Sequence, residues 1–335
     1  MKKQITFLPL LVVLSMILAA CATAAPAAPA QPAEAKKLTI ALVYGIQGDA
    51  FYITMVKGAE AKAAELGVNF VSDGPSKWDP SVQTPIVDAL ITKKVDALIN
   101  VPNDPQAMIP VLKRAFDAGI PVITTDQYIG DGDYAKGTIT FPLSVISSNN
   151  FEGGKIACEA LIKGMGGKGK LYILTSTANV PSDTARRDGC KAAIEAVPAV
   201  SLVGVDYTES SAPIATTQTQ AMLQKEPGLN AIFGANLFSA QGAAAAVKSA
   251  GLAGVVKIAS FDAPEQAITD LRNNVIDMVI AQQPFMIGSL AVQYAYDALN
   301  GKSAGIPKKV NTPFVVITRD NVDSPESQAA IYKSQ

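Results

Sequence analysis

Short apolar segments alternate with amphipathic segments along most of the chain. Near-continuous apolar runs at 38–43, 95–100 and 120–125 predict buried strands. Helical spacing of apolar residues over 51–66 and 106–118 predicts helices between these strands. Alternating strands and helices require right-handed crossovers and parallel sheets, and strands without polar alternation are covered on both faces. The pattern therefore predicts an α/β protein with doubly wound, Rossmann-like sheets.

The alternation resumes after Asn150, in a second half of the same kind. The remaining predicted strands are 68–71, 170–175, 201–206, 230–234, 255–261 and 275–281, and the remaining predicted helices are 82–92, 150–164, 183–197, 214–225 and 239–250.

An internal repeat relates the two halves. Asn100 and Asp126 lie at the carboxyl ends of predicted strands in the first half, and Asn236 and Asp262 do so in the second, with a spacing of 26 positions in each pair. In open α/β sheets, ligands bind outside the carboxyl ends of the strands. The repeat predicts two lobes that direct these four side chains into one cleft.

The polar groups at these strand ends suit a ligand with many hydroxyl groups. Amides and carboxylates can each engage neighbouring hydroxyls, while flat apolar side chains cover C–H faces. Asp126 and Asp262 have turn capping as their alternative role. The alternative role of Phe51 and Tyr52 is packing in the core. The alternative for Arg186 is a solvated charge on the surface. The candidate ligand residues from this reasoning are Phe51, Tyr52, Asn100, Asp126, Arg186, Asn236, Asp262 and Gln282.

Composition narrows the classes of function. The 28 Lys and Arg residues nearly balance 29 Asp and Glu residues, which leaves no basic surplus for nucleic acid. The chain contains no histidine, which excludes an imidazole base and any His-ligated metal site. We expect neither a cofactor nor a metal.

The N-terminal segment reads as an export signal. Two lysines precede an apolar stretch at 8–18, and Leu18-Ala19-Ala20 precedes Cys21. Small residues before a cysteine resemble the lipobox of bacterial lipoproteins, which implies a signal peptide at 1–20 and a lipid on Cys21. The Ala- and Pro-rich segment 21–36 would then tether an exported body to a membrane, facing the periplasm or the cell exterior. An ordinary signal peptide cleaved nearby is the alternative.

Several segments of the body together resemble type I periplasmic sugar-binding proteins, close to the ribose-binding group of ABC transporter receptors. The matching segments are Ala50-Phe51-Tyr52, Leu98-Ile99-Asn100, Pro121-Val122-Ile123-Thr124-Thr125-Asp126, Asn150-Phe151-Glu152-Gly153-Gly154, Ala185-Arg186-Arg187-Asp188-Gly189, Ser260-Phe261-Asp262 and Ile280-Ala281-Gln282-Gln283-Pro284. The resemblance implies a monomer that captures a small-molecule sugar and delivers it to an ABC permease and its ATPase. It also makes Asp49 and Gln127 candidate ligand contacts.

The resemblance implies two lobes joined by a hinge with three crossovers. The N-terminal lobe would comprise 37–141 and 284–312, and the C-terminal lobe 142–283 and 313–335. The crossovers are expected near 141–145, 282–284 and 312–314.

The identity of the sugar stays open at this point. Ribose binders carry Arg where Gln127 stands, and an aromatic residue near the position of Ser210, which this chain lacks. Another pentose, a hexose or a polyol fits equally well. The rival functions are a glycosidase built on two aspartates, a sensory receptor for a sugar or polyol, and a receptor for a furanone signal.

The sequence contains two further motifs. Gly164, Gly166 and Gly169 match the spacing of a dinucleotide-binding loop, but the stretch follows a predicted helix and enters a strand, which is the reverse of the required order. Cys158 and Cys190 lie on the helices that flank the strand 170–175, so export permits a disulfide between them. Two buried free thiols are the alternative.

Overall fold

The computed structural model describes residues 37–332, in which twelve strands and ten α-helices alternate. The expected signal peptide, Cys21 and the tether lie outside the described residues. The elements are, in chain order, β1 (Thr39–Val43), α1 (Ala50–Leu66), β2 (Asn69–Asp73), α2 (Pro80–Thr92), β3 (Ala97–Asn100), α3 (Ile109–Asp117), β4 (Val122–Thr125), β5 (Val145–Ser148), α4 (Asn150–Gly164), β6 (Gly169–Thr175), α5 (Pro181–Glu195), β7 (Val200–Tyr207), α6 (Ala212–Lys225), β8 (Leu229–Gly234), α7 (Leu237–Ser249), β9 (Lys257–Phe261), α8 (Glu265–Arg272), β10 (Met278–Ala281), α9 (Pro284–Leu299), β11 (Lys309–Thr312), β12 (Val315–Ile317) and α10 (Pro325–Ala329).

The strands form two six-stranded sheets whose strand orders correspond. Their orders are β11-β5-β4-β3-β1-β2 and β12-β10-β9-β8-β6-β7. All neighbouring strands are parallel except β10 and β12, which are antiparallel. Each lobe thus contains a doubly wound sheet with its first strand beside its third. The predicted fold class of two Rossmann-like lobes is confirmed.

The sheets are buried because their central strands are apolar on both faces. Residues 40–43 of β1 and 171–174 of β6 are each at most 1% exposed. Helices on both faces of each sheet exclude water from these strands. This arrangement concentrates the chemistry of each lobe at its carboxyl edge.

The chain passes between the two sheets three times. β5 pairs with β4 and β11 in the first sheet, so the first passage follows Ser148. The boundary expected at 141–142 is therefore wrong, since β5 belongs to the first lobe. The sequence held no signal for β5, because this strand ends in two serines and lacks the apolar run of the other strands. The second passage lies between β10 of the second sheet and α9, which packs on α1 of the first lobe. The third lies between β11 and β12, which belong to different sheets.

Two glycines bring α4 and α5 into close contact in the second lobe. A Cβ atom on Gly154 would clash with the carbonyl of Arg186, and one on Gly189 would clash with the carbonyl of Phe151. At this short separation the sulfur atoms of Cys158 and Cys190 are bonded, with their Cα atoms 5.1 Å apart. The packing also holds Arg186 against the base of α4.

None of the helices between residues 37 and 332 combines the length and the hydropathy of a membrane span.

Candidate ligand-binding site

A cavity lies between the two lobes, and residues of both lobes line it. Nine of the ten ligand residues expected from the sequence take part in this lining: Asp49, Phe51, Tyr52, Asp126, Gln127, Arg186, Asn236, Asp262 and Gln282. The further lining residues are Ile46, Trp78, Ser176, Val180, Ser182, Asp183, Ser210 and Phe238.

Asn100 is the exception among the expected residues. It ends β3 as predicted, but it does not line the cavity and is completely buried. Neither polar atom of its side chain has a hydrogen-bond partner within residues 37–332. Its role as a ligand contact therefore stays a prediction.

Asp126 and Asp262 occupy equivalent positions in the two lobes. Each follows its strand directly, and both have positive φ angles, 60° and 76°, which are uncommon for residues other than glycine. The backbone N–H of each donates to a carbonyl of the neighbouring strand, Asp126 to Ile146 at 2.8 Å and Asp262 to Ile280 at 3.0 Å. These bonds hold a conformation that costs roughly 1–3 kcal/mol and turns each carboxylate into the cleft.

Protein donors hold one carboxylate oxygen of Asp126. Its Oδ2 accepts from the Tyr52 hydroxyl at 2.8 Å and from Gln127 Nε2 at 3.1 Å. None of the described residues donates a hydrogen bond to the second oxygen, Oδ1. The free oxygen can therefore accept a hydrogen bond from a ligand hydroxyl.

Asp262 is held in the same manner in the second lobe. Its Oδ1 accepts from Gln282 Nε2 at 2.7 Å and from the Tyr332 hydroxyl at 3.1 Å. No donor to Oδ2 is found between residues 37 and 332. Each lobe thus presents one preoriented carboxylate oxygen to the cavity.

Arg186 is the cation of the site and is only 3% exposed. Its guanidinium carbon lies 3.8 Å from the centroid of the Phe261 ring, which is a stacked cation–π contact. Nε donates to Asn150 at 2.8 Å, and Nη1 donates to the carbonyl of Ala235 at 2.9 Å. Nη1 also lies 3.3 Å from Oδ1 of Asp183. Among the described residues Nη2 has no acceptor, so this nitrogen can donate to a ligand.

Asn236 combines a structural role with its place in the lining. It caps α7, because its Oδ1 accepts from the N–H of Ser239 at 2.9 Å. Its Nδ2 donates to Oδ2 of Asp183 at 2.6 Å, and the same oxygen accepts from the N–H of Ser176 at 3.0 Å. Asp183 therefore joins Asn236 to Arg186, and only part of the Asn236 amide is left for a ligand.

Aromatic rings form a wall in the first lobe. Tyr52 lies between Tyr44 and Trp78, with ring centroids 6.3 Å apart in both pairs and interplanar angles of 23° and 27°. Asp49 caps α1 by accepting from the N–H of Phe51 at 2.8 Å, which fixes the start of the helix that carries Phe51 and Tyr52. Phe51, Tyr52 and Trp78 all line the cavity, and their contact with a ligand stays a prediction.

Gln127 contacts the opposite lobe. Its Nε2 donates to Oγ of Ser182 at 2.6 Å, and its Oε1 accepts from the N–H of Ser182 at 3.2 Å. Gln127 follows β4 of the first lobe, while Ser182 begins α5 of the second. Both ends of the amide are used by the protein, so Gln127 joins the lobes in this conformation.

The buried carboxyl groups have altered protonation. Burial raises the pKa of Asp49 to about 8, and the nearby Asp262 adds to the shift. Burial also raises the pKa of Asp126 to about 6, although Arg186 and the Tyr52 hydroxyl oppose the shift. The pKa of Asp262 is raised by burial as well, again against Arg186. Near neutral pH the cavity therefore offers a protonated carboxyl donor at Asp49 and a carboxylate acceptor at Asp126.

Several residues of the site were not predicted, and the sequence held a detectable signal for only one of those discussed below. Asp183 precedes Arg186 by three residues on a predicted helix, a spacing that places both on one face. Trp78 and Ser182 lie in or beside connections, and Tyr332 lies near the chain end. Their distance from the site in the sequence left no pattern to detect them.

Two doubly wound lobes around a polar cavity are the arrangement of a bilobed solute receptor of type I topology. Residues 40–303 match the periplasmic binding protein domain. Because this match covers most of the chain, the protein belongs to the periplasmic binding protein family. The resemblance noted in the sequence is confirmed.

Individual relatives are similar along nearly their whole length. An ABC transporter solute-binding protein from Agrobacterium vitis, solved with α-D-tagatopyranose, is 41% identical with a TM-score of 0.86, covering 89% of this chain and 100% of that one. Another from Agrobacterium vitis, solved with D-fucose, is 27% identical with a TM-score of 0.83, covering 88% and 100%. The ribose import binding protein of Haemophilus influenzae is 31% identical over 268 residues, 79% of this chain and 86% of that protein.

Proposed function

We propose that the protein captures a monosaccharide between its lobes outside the cytoplasm and delivers it to an ABC permease. The observation that carries this proposal is the pair of equivalent aspartates, Asp126 and Asp262, whose free oxygens face one interlobe cavity. A ligand that bridges them gains its full set of contacts only when the lobes are closed. Binding therefore shifts the population toward the closed form that a permease would recognise.

The chemistry of the cavity matches a sugar. Carboxylate oxygens accept from hydroxyl groups, and Nη2 of Arg186 donates to a ring or hydroxyl oxygen. Tyr52 and Trp78 supply flat surfaces for C–H faces. A compact, uncharged ligand with hydroxyl groups on several sides satisfies these groups together.

Ketohexoses in the pyranose form are the first candidates for the ligand, and aldopentoses and other hexoses are the next. The Agrobacterium vitis relative at 41% identity was solved with α-D-tagatopyranose, whereas more distant relatives were solved with D-fucose or D-allose. Ribose is less favoured, because Gln127 is occupied by Ser182 and offers no guanidinium to the ligand.

We also propose that the exported protein is a lipoprotein. Cys21 would carry the lipid and 21–36 would form the tether, which keeps the binding body near its permease. A single body with its site complete in one chain needs no second copy, and we propose that it acts as a monomer.

Isothermal titration calorimetry against D-tagatose, D-fructose, D-allose, D-fucose, D-ribose and D-arabinose tests the proposal. We expect a dissociation constant in the micromolar range for at least one sugar, equivalent to about −8.2 kcal/mol at 1 μM. NMR of the sugar after incubation should show it unchanged, whereas turnover would favour a glycoside-processing enzyme. Absence of heat and of thermal stabilisation across the panel would reject the proposed function.

A further inference from the structure

The end of the described chain is inserted beside the cavity. Tyr332 is the last residue that the structure describes, and it is completely buried. Its backbone N–H donates to the carbonyl of Ala263 at 2.9 Å, and it forms a bridge with Pro264. The chain end therefore pairs with the segment that directly follows Asp262.

The Tyr332 hydroxyl joins two lining residues. It accepts a hydrogen bond from the backbone N–H of Gln282 at 2.8 Å and donates one to Oδ1 of Asp262 at 3.1 Å. Gln282 Nε2 donates to the same carboxylate oxygen at 2.7 Å. The hydroxyl thus links the ends of β9 and β10, and it restricts rotation of the Asp262 carboxylate.

The same network extends to the first lobe at two points. The Tyr332 ring contacts the Phe51 ring edge-on, with centroids 5.8 Å apart. Oε1 of Gln282 accepts from the Ser148 hydroxyl at 2.7 Å, where β5 ends and the chain first crosses between the lobes. Tyr332 is therefore packed between a cavity wall of one lobe and a cavity anchor of the other.

We propose that Tyr332 is a positioning residue of the sugar site, through which the C-terminal segment holds Asp262 and Gln282 in their binding geometry. The proposal rests on the proposed function. Tyr332 itself does not line the cavity, so its effect on affinity passes through these two residues. Removal of its hydroxyl frees the carboxylate to rotate and leaves the N–H of Gln282 without its acceptor.

The chain contains a matched control for this hydroxyl. Tyr172 is also completely buried in the second lobe, and its hydroxyl donates to Oδ2 of Asp206 at 2.6 Å. Neither Tyr172 nor Asp206 lines the cavity. Tyr172→Phe removes the same kind of hydrogen bond without touching the site.

Affinity is the first measurement. Tyr332→Phe should weaken binding of the sugar identified above by about tenfold or more, as expected for loss of a hydrogen bond to a charged group. Tyr172→Phe should bind that sugar with unchanged affinity. Equal affinity of Tyr332→Phe and the wild type, or an equal loss in both variants, would overturn the proposal.

The pH profile separates positioning from general destabilisation. The Tyr332 hydroxyl bond favours the ionised form of Asp262, so its loss should move the acid fall in affinity of Tyr332→Phe to higher pH. Tyr172→Phe should keep the wild-type profile. The charged and titratable groups that also act on this part of the cavity are Asp49, Tyr52, Asp126, Asp183 and Arg186, and both variants retain all of them.

A measurement without sugar keeps this proposal separate from the proposed function. In the ligand-free protein, the ¹³C signal of the Asp262 carboxyl should titrate at higher pH in Tyr332→Phe than in the wild type. A wild type that binds no sugar would reject the proposed function alone. An unchanged Asp262 titration would reject the role of Tyr332, whatever the ligand.

Discussion

Asp126 and Asp262 occupy equivalent positions in two lobes with corresponding strand orders, and both follow their strands in a left-handed backbone conformation. In each, one carboxylate oxygen is held by a tyrosine hydroxyl and a glutamine amide. Tyr52 and Gln127 serve the first, and Tyr332 and Gln282 serve the second. Because each lobe contributes one such carboxylate, loss of either aspartate removes the carboxylate that its lobe offers to a ligand.

Asp262→Ala should abolish the thermal stabilisation that sugar gives the protein. The residue is 4% exposed, and removal of one charged partner from a buried hydrogen-bonded site costs about 2–5 kcal/mol of binding free energy. Differential scanning fluorimetry with and without sugar measures the effect. Asp320→Ala, at an exposed position, is the control and should retain the full shift. A full shift in Asp262→Ala would remove this residue from the site.

Trp78 should report binding directly, because it is the only tryptophan of the chain and lines the cavity. We expect sugar to change its fluorescence emission and to protect it from acrylamide quenching. Trp78→Phe should lose the signal and bind about 0.5–1.5 kcal/mol more weakly, since stacking with Tyr52 and the ligand is reduced. Saturation by calorimetry without any change in emission or quenching would contradict contact between Trp78 and the ligand.

Gln127→Ala should favour the open form. The substitution removes both hydrogen bonds to Ser182, which join the lobes, and we expect a loss of about 1–3 kcal/mol in sugar binding. Small-angle X-ray scattering should show a larger radius of gyration for the free variant than for the free wild type.

Gln83→Ala is the control for loss of a buried amide. Gln83 bonds only within the first lobe, to Val101 at 2.7 Å and to Asn103 at 3.0 Å. This variant should unfold at a lower temperature but keep the wild-type radius. An identical radius for Gln127→Ala and the wild type would exclude a role of Gln127 in closure.

The strands and their polar ends could be predicted because their signal is local. The apolar runs before Asp126 and Asp262, and the equal spacing in both halves, located the duplicated anchors. β5 was missed because its four residues include two serines, and this moved the first lobe boundary. The position of Asn100 at a strand end is confirmed, and its role as a ligand contact stays a prediction because the buried residue does not line the cavity.

Contacts between distant segments could not be predicted from one sequence. Gln127 and Ser182 are 55 residues apart, and Tyr332 and Asp262 are 70 apart. Both contacts exist only because the chain crosses between the lobes and its end returns to β9. No periodicity or spacing encodes such a pairing, so the residues that support the anchors emerged from the structure alone.

Removal of the Cys158–Cys190 bond should lower the stability of the second lobe. The bond closes a loop of 32 residues, for which the entropy of the unfolded chain predicts about 3–4 kcal/mol. Urea unfolding of the oxidised protein and of the Cys158→Ser, Cys190→Ser double variant measures the difference. Dithiothreitol should destabilise the wild type and leave the double variant unchanged. Two alkylatable thiols in the native, unreduced protein would show that the pair is not oxidised.

The ligand-free protein should become less stable as the pH rises from about 4 to about 8. Burial raises the folded-state pKa of Asp126 to about 6 and of Asp49 to about 8, from an ordinary value of 3.8. Between these values the folded state binds more protons than the unfolded state, so the free energy of unfolding falls with increasing pH. Urea unfolding across this range measures the slope.

The Asp49→Asn variant tests whether Asp49 causes the fall in the free energy of unfolding between pH 6 and 8. Asparagine keeps the cap on α1 and mimics the protonated acid, so the variant should be more stable than the wild type at pH 8 and show a flatter profile between pH 6 and 8. Asp79→Asn is the matched control, since Asp79 caps α2 at the surface and its pKa is lowered by Ser81 rather than raised. It should follow the wild-type curve from pH 6 to 8. If Asp49→Asn followed that curve as well, Asp49 would be ionised in the folded protein at neutral pH, and the cavity would lack its carboxyl donor.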